Sequence, residues 1–359
     1  MKIFITGAAG YVGAMLVDQF SRRADVDEII GVDKERLPEF LKGNTKLTWI
    51  DGNIADDVWQ KILEEKKPEV MIHCAWQIRE MYGKKETQWK WNVEGSLKIF
   101  DFAFSHGFVK KLIYFSTVSS YGAKSTNTLE YRFKETDPFI ENEYLYGIEK
   151  RVVEERLKEK FDAKKKEGTV LPQVFIVRPA AITGPRGRFM MKERFGLQAA
   201  LSGKLSKSPL HRLISLMVSF VPAPPLWLRQ FIHEDDVADI VGMFAFKQLD
   251  GEYEAFNICP PGEPVLARDM AEAVGKKVVP IPPFMVRIAF FFFWHLTRGR
   301  VPTSKGGWKF YSFPIAVDGS RLTTRYAYQY QWNSKDAFVF TDGRYGQFVP
   351  ENDRKTKVV

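Results

Sequence analysis

Short apolar runs alternate with amphipathic helical patterns through the first half of this 359-residue chain. The apolar runs are nearly continuous, which is typical of strands that are buried on both faces. Strands separated by helices predict a parallel sheet that helices cover on both sides. The predicted strands are Lys2–Thr6, Glu28–Val32, Leu47–Asp51, Val70–Cys74, Lys111–Ser116 and Gln173–Arg178, and the predicted helices are Val12–Ser21, Asp56–Lys66, Thr87–Ser105 and Tyr144–Lys160.

The pattern changes after about residue 180. A helix is predicted within residues 181–228, where a Pro-rich stretch follows it. Leu228–Ile232, a helix from Asp235 and the strand Glu254–Cys259 are predicted to return to the sheet. We therefore expect a doubly wound α/β domain over residues 1–180, completed by residues 228–260. Residues 181–227 and 261–342 are expected to form a smaller mixed α/β domain, and residues 343–359 a polar, frayed tail.

The composition is that of an ordinary globular protein, with 45% hydrophobic and 27% charged residues. The formal net charge of +9 comes without a groove-reading motif, so a solvated basic surface is expected and nucleic acid is not a predicted partner. Cys74 and Cys259 lie in apolar runs and are predicted to be reduced. A core strand at Lys2–Thr6 leaves no room for a signal peptide, so a cytoplasmic protein is predicted.

A glycine-rich loop, Thr6-Gly-Ala-Ala-Gly-Tyr-Val-Gly13, connects the first strand to the first helix. Its three glycines permit a tight turn, close approach to a pyrophosphate and close packing of helix on strand. This position in an alternating chain predicts a dinucleotide-binding, Rossmann-type fold. Asp33 follows Gly13 by 20 residues, the spacing at which a carboxylate meets the ribose hydroxyls of NAD. Lys34 and Arg36 nearby leave NADP as an alternative.

Tyr146 and Lys150 lie one helical turn apart on one face of a predicted helix. A phenol with a pKa near 10 is a poor base at neutral pH, and a nearby cation lowers that value. The segment Ser116–Gly122, just after the fifth strand, offers a hydroxyl that could hold a substrate oxygen. A phenol, an ammonium and a hydroxyl together predict a proton-transfer site. His73 and His233 lack partners at ligand spacing, so no metal site is predicted.

With these motifs the chain resembles the extended short-chain dehydrogenases/reductases, which include UDP-glucose 4-epimerases and sugar dehydratases. The resemblance runs from residue 1 to about 340 and includes Tyr121-Gly122 after Thr117 and the run Arg229–Val237. It implies that Thr117 is the donor hydroxyl, which binds the substrate and forms a catalytic trio with Tyr146 and Lys150, and that Arg229 contacts a diphosphate. The cofactor-binding residues that it implies, together with the loop and the trio, are Gly7, Gly10, Tyr11, Val12, Gly13, Asp33, Asn53, Ile54, Cys74, Ala75, Asn92, Ser116, Tyr146, Lys150 and Pro179.

The substrate side departs from the family pattern. Ala181 stands where the family has an asparagine, and no second diphosphate arginine is recognisable, although Arg298 and Arg300 lie in that region. The leading hypothesis is an NAD-dependent epimerase/dehydratase of a nucleotide sugar. The alternative is an oxidoreductase of an apolar alcohol or ketone, similar to 3β-hydroxysteroid dehydrogenases or flavonoid reductases. A non-catalytic dinucleotide-binding protein is the third hypothesis, and a homodimer is compatible with all three.

The window Phe284–Leu296 is the most apolar of the chain but is shorter than the roughly 20 residues that span a membrane. Phe284, Ile288, Phe291 and His295 can share one helical face. A helix that is apolar nearly all round should be buried or should meet an apolar partner. We expect it mainly to line the substrate pocket and the core, with membrane contact as a secondary role.

Overall fold

The computed structural model describes residues 1–191, 209 and 219–357. The chain divides into two compact units, each built from several segments. The first comprises Met1–Thr117, Tyr146–Arg178 and Ala238–Phe256, and the second Val118–Leu145, Pro179–Val237 and Asn257–Val359. The helix predicted within residues 181–228 falls largely on residues outside the described part. Before residue 192 this region contains the π-helix Arg186–Met190.

A seven-stranded sheet forms the first unit. Its strands are β1 (Lys2–Thr6), β2 (Glu28–Asp33), β3 (Leu47–Asp51), β4 (Val70–His73), β5 (Lys111–Phe115), β6 (Gln173–Pro179) and β11 (Tyr253–Ile258), in the order β11-β6-β5-β4-β1-β2-β3. All pairings from β3 to β6 are parallel, and β1 lies between β2 and β4. This order is that of a doubly wound, Rossmann-type fold. The six strands predicted before residue 180 and the predicted strand Glu254–Cys259 are confirmed within one residue at either end.

Helices on this unit bury one face each against the sheet. Phe4 of β1 stacks on Trp59, whose ring meets Phe102 edge-on within the main apolar core. The helix predicted over Thr87–Ser105 is interrupted by a π-helix, Lys90–Glu94, a feature often found at functional sites. The helices are α1 (Tyr11–Ser21), α2 (Gln60–Lys66), α3 (Lys85–Trp89), α4 (Gly95–Ser105), α5 (Leu145–Lys166) and α6 (Glu234–Phe246).

In the described part of the second unit the strands form three two-stranded pairs, and here one prediction is wrong. Leu228–Ile232 does not return to the large sheet, whereas β11 does. Gln230 interrupts the run, because its side-chain amide bonds both the N–H and the C=O of Val317. The pairs are β7 (Ala181–Thr183) with β10 (Phe231–His233), β8 (Phe220–Ala223) with β13 (Lys277–Pro280), and β9 (Leu228–Arg229) with β12 (Val265–Leu266).

The C-terminal segment is also more ordered than predicted. Residues 343–357 contain the short 3₁₀ turns Gly346–Phe348 and Glu351–Asp353. Tyr345 and Val349 are buried, and the Thr341 N–H donates to the Lys355 carbonyl at 2.8 Å. The prediction of a frayed tail is therefore wrong, because the buried side chains of Tyr345 and Val349 anchor this polar segment to the second unit. The remaining helices are α7 (Ala267–Ala273), α8 (Pro283–Leu296), α9 (Gly307–Ser312), α10 (Ser320–Tyr326) and α11 (Ser334–Val339).

The helix predicted at Phe284–Leu296 is present as α8, but its predicted burial is wrong. Only Val286 and Trp294 are buried along its length. Phe284, Ile288 and Phe291, which were expected to face the core, are exposed. Among the described residues, no helix is long and apolar enough to cross a membrane.

Candidate active site

The glycine loop after β1 has a geometry that only glycine allows at two positions. Gly7 has φ +68°, and a Cβ there would lie 2.7 Å from the Ala75 Cα. A Cβ on Gly13 would collide with the Gly7 carbonyl oxygen, so α1 packs directly against the loop. Gly10 provides no side-chain cap for α1, and no acidic residue occupies its first turn, which Tyr11 and Val12 open. The backbone N–H groups at the start of α1 and the positive end of the helix dipole therefore suit a phosphate.

Asp33 lies at the end of β2, beside this loop. Its carboxylate accepts from the Ala9 N–H and from the Glu35 N–H, each at 2.9 Å. Burial raises the pKa of Asp33 above its ordinary value. Lys34 pairs with Glu35 at 2.6 Å. The carboxylate thus brings an acceptor to the edge of the glycine loop, as binding to ribose hydroxyls requires.

Two further cofactor-binding predictions lie at the end of β3. The Asn53 Oδ1 accepts from the Ala55 N–H at 2.9 Å, which closes a tight turn. Ile54 belongs to the main apolar core, and its carbonyl accepts from the Trp59 indole at 3.1 Å. These two hydrogen bonds fix the conformation of the turn without a ligand.

The end of β4 carries His73, Cys74 and Ala75 below the glycine loop. His73 Nδ1 lies 2.7 Å from Thr6 Oγ1, and its Nε2 lies 2.8 Å from Ser96 Oγ. Burial lowers the pKa of His73 well below its ordinary value, which keeps the ring neutral. Its role is structural, as predicted. Cys74 and Cys259 are free thiols, and no group of three or more potential metal ligands occurs among the described residues.

The predicted catalytic trio lies within the first unit. Thr117 is buried just after β5, and its hydroxyl is hydrogen-bonded to the hydroxyl of Tyr146 near the start of α5. Lys150, one turn along α5, donates to the Phe115 carbonyl. Burial raises the pKa of Tyr146, and the bond from Thr117 acts in the opposite direction. Burial also lowers the pKa of Lys150 to about 7.

Trp76 is a site residue that the motifs did not reveal. Its ring lies over the Lys150 ammonium, with the Nζ 3.6 Å from the ring centroid. Tyr114 lies beneath the same ammonium at 4.9 Å. Two aromatic faces therefore stabilise the buried cation. The only signal in the sequence was the position of Trp76 directly after the predicted strand end His73-Cys-Ala75.

A second group that sequence reasoning missed surrounds Glu149, the residue before Lys150. Its carboxylate is fully buried and accepts from Asn92 Nδ2 at 2.7 Å and from Gln88 Nε2 at 3.2 Å. Burial raises the pKa of Glu149 to about 6. Asn92, predicted to bind the cofactor, also bonds both backbone groups of Gln77. Glu149 is an acidic residue within the Tyr-x-x-x-Lys motif, next to a lysine that was expected to be in the site, and this position could have indicated a buried polar network.

Some polar atoms near the trio have no partner within the described structure. They are Ser116 Oγ, Trp76 Nε1 and Glu149 Oε1, each buried. A buried polar atom without a hydrogen bond is costly, and a bound ligand is one way to satisfy it. Ser116 directly precedes Thr117, so its hydroxyl suits a cofactor contact.

The remaining predictions, Pro179 and Arg229, lie in the second unit. Pro179 ends β6. The Arg229 guanidinium donates to the carbonyls of Leu228 and Phe310, and its Cζ lies 4.5 Å from the Phe310 ring centroid. Burial lowers the pKa of Arg229 to about 10. The side chain is thus already engaged by protein groups.

Comparison with known proteins gives a consistent result. The model of the NAD dependent epimerase/dehydratase family matches residues 3–259. The UDP-glucose 4-epimerase of Corynebacterium glutamicum is 30% identical over 128 residues, which cover 34% of this chain and 36% of the relative. The UDP-glucose 4-epimerase of Erwinia amylovora is 24% identical over 272 residues, which cover 72% of this chain and 77% of the relative. The match to the first of these thus spans little more than a third of that protein.

Among solved structures, the Bordetella bronchiseptica enzyme WbmG in complex with NAD and UDP has a similar fold. Its TM-score is 0.67 at 21% identity, over 94% of this chain and 92% of that one. The dTDP-glucose 4,6-dehydratase of Bacillus anthracis in complex with NAD also has a TM-score of 0.67, at 15% identity over 97% and 96% of the two chains. At these identities the likeness establishes the fold.

Proposed function

Since the chain belongs to the NAD dependent epimerase/dehydratase family, we propose that it binds NAD and epimerises a sugar nucleotide. The hydrogen bond between Thr117 and Tyr146, with the Lys150 ammonium on the next turn of α5, is the observation that carries the proposal. The glycine loop, the uncapped start of α1 and the unpartnered Ser116 hydroxyl all suit a dinucleotide. Asp33 favours NAD over NADP, because its carboxylate repels a 2′-phosphate.

The three catalytic residues have separate roles. Thr117 holds the reacting hydroxyl of the substrate, and Tyr146 takes its proton as general base. The pKa of Tyr146 lies above its ordinary value because of burial. A cation must therefore stabilise the phenolate, and Lys150 supplies it. Bound NAD would supply the hydride-transfer chemistry that the sugar carbon needs. Lys150 also holds the cofactor ribose in this proposal.

We assign the cofactor contacts of the glycine loop and Asp33 to the first unit, and a diphosphate contact of the substrate to Arg229. Epimerisation is proposed in preference to dehydration with support from two relatives, those of Corynebacterium and Erwinia, which are both named UDP-glucose 4-epimerase. The homodimer stays a prediction.

A second candidate is net oxidation or reduction of an apolar alcohol or ketone. Ala181 in place of the family's asparagine favours it, as does the Arg229 guanidinium already bonded to two carbonyls. A diphosphate would have to displace these bonds.

The deciding experiment is to denature the purified protein and identify any dinucleotide that it releases. An epimerase must return its hydride, so we expect tightly held NAD and conversion of UDP-glucose to UDP-galactose without added cofactor. An empty site, together with NADH formed in proportion to an oxidised apolar alcohol, would instead support the second candidate. The control is Tyr146→Phe, which should retain the dinucleotide and lose conversion.

A further inference from the structure

The α8 helix presents a continuous apolar face to solvent. We call this the α8 face and define it by the exposed side chains of Phe284, Ile288, Phe291, Phe292 and Leu296. Their exposed fractions are 62, 51, 60, 64 and 82%. An exposed apolar patch of this kind marks an interaction site far more often than it marks idle surface.

The opposite side of α8 is fixed to its own unit. Val286 and Trp294 are buried, and Phe290 packs against Tyr311 of α9 with ring centroids 6.0 Å apart. The Arg287 guanidinium lies 5.6 Å from the Trp308 ring centroid. Because these contacts fix one side of the helix to its own unit, the α8 face on the other side is exposed to solvent.

The segment that carries this face has charged side chains of a single sign. From Val274 to Val317 the sequence contains no Asp or Glu, whereas it contains seven Lys or Arg residues. Arg287, Arg298, Arg300 and Lys305 are exposed. Lys309 on α9 pairs with Glu143, so that charge is compensated. An apolar helical face bordered by exposed cations is the pattern that lies in the interface of an anionic bilayer.

A second copy of the chain fits this face less well. A two-fold dimer would bring the same patch, with its exposed arginines, from both copies into one interface. Repulsion between like charges opposes that contact, whereas a negative lipid surface attracts them. The helix has 14 residues, too few to span a bilayer, so it would lie in the plane of the membrane.

We propose that the α8 face docks this protein onto an anionic phospholipid surface. The phenylalanine and leucine side chains enter the boundary between headgroups and acyl chains, and Arg298 and Arg300 contact the lipid phosphates. The proposal is independent of the catalytic proposal, since none of these residues belongs to the catalytic trio.

Cosedimentation of the full chain with vesicles tests it. We expect binding to phosphatidylcholine vesicles that contain phosphatidylserine, and much weaker binding to phosphatidylcholine alone. The double variant Phe291→Gln, Phe292→Gln should lose about tenfold or more in affinity, because it removes two inserted rings. Arg298→Gln and Arg300→Gln should each weaken binding to the anionic vesicles by about fivefold, and less at high salt.

Phe348→Gln is the matched control, since Phe348 is an exposed phenylalanine of the same unit outside α8. It should bind vesicles as the parent does. All variants change exposed side chains, so melting temperatures should stay close to the parent value. If the parent binds neither vesicle and Phe291→Gln, Phe292→Gln abolishes a dimer measured by sedimentation, the face joins two copies and the proposal is wrong. A parent that is monomeric and binds no vesicle overturns it as well.

Discussion

Replacing Lys150 by Met is expected to stabilise the cofactor-free protein while it abolishes the proposed catalysis. The Lys150 side chain is buried, and burial lowers its pKa from 10.5 to about 7. A folded-state pKa below the unfolded one means that folding penalises the charged form. Met fills a similar volume without a charge, so this penalty is absent from the variant.

The magnitude follows from the shift in pKa. Each pKa unit corresponds to about 1.4 kcal/mol, so the shift to about 7 amounts to about 5 kcal/mol near pH 6, where Lys150 is charged in both states. The contact with Trp76, worth about 1–2 kcal/mol, reduces this gain. Above pH 7 the folded protein loses its proton before the unfolded chain does, so the penalty falls as pH rises. The difference between variant and parent should therefore narrow by about 2.7 kcal/mol from about pH 6 to about pH 9.

Urea unfolding of both proteins at these two pH values measures the effect. Lys158→Met is the control, because Lys158 lies on the same helix with an exposed side chain paired with Asp162. It should change the free energy of unfolding by less than about 1 kcal/mol, equally at both pH values. A Lys150→Met protein that is less stable than the parent near pH 6, or a difference independent of pH, would refute the reasoning. Titration with NAD should meanwhile give weaker binding to Lys150→Met.

Tyr146→Phe should abolish turnover and leave NAD affinity nearly unchanged, since only the proton-transferring group is lost; near-parental turnover would contradict its role. Asp33→Ser should narrow the preference for NAD over NADP, measured by titrating both dinucleotides, and equal affinities for the parent would contradict the assignment. Trp294→Ala should lower the free energy of unfolding by about 3–5 kcal/mol, whereas Phe291→Ala should change it by no more than about 0.5 kcal/mol; equal losses would show that the α8 face is buried in solution. In the parent, the free energy of unfolding should fall between about pH 4.5 and 6, because the raised pKa of the buried Glu149 carboxyl makes its charged form costly above that range. Glu149→Gln should remove this fall, and a parent whose free energy of unfolding rises over that range would argue against the role of Glu149.

The sequence predicted the sheet well because its signals are local. Buried parallel strands are nearly continuous apolar runs, and the seven strands of this sheet were predicted within one residue at either end. The glycine loop was equally readable, since the close approaches at Gly7 and Gly13 exclude any side chain. The Tyr-x-x-x-Lys spacing likewise fixes two side chains on one face of a helix.

Contacts between distant segments were not readable. Trp76 reaches Lys150, and Gln88 reaches Glu149, across more than 60 residues of sequence, and no local pattern records either contact. The prediction of which side of α8 is buried failed for another reason. A helix that is apolar nearly all round carries no periodic signal that says which side faces the protein.

Three buried polar residues at intervals of four, Gln88, Asn92 and Ser96, run along the helical segment that contains the π-turn. Ser96 meets His73 at the end of β4, and Asn92 meets Glu149 on the catalytic helix. The segment therefore sets the distance between the strand end below the glycine loop and the catalytic helix. Deletion of one residue within it would rotate the residues that follow by about 100°, so that Ser96 and Asn92 could no longer contact His73 and Glu149 together. Its length should consequently be far harder to change in evolution than that of any surface loop in this chain.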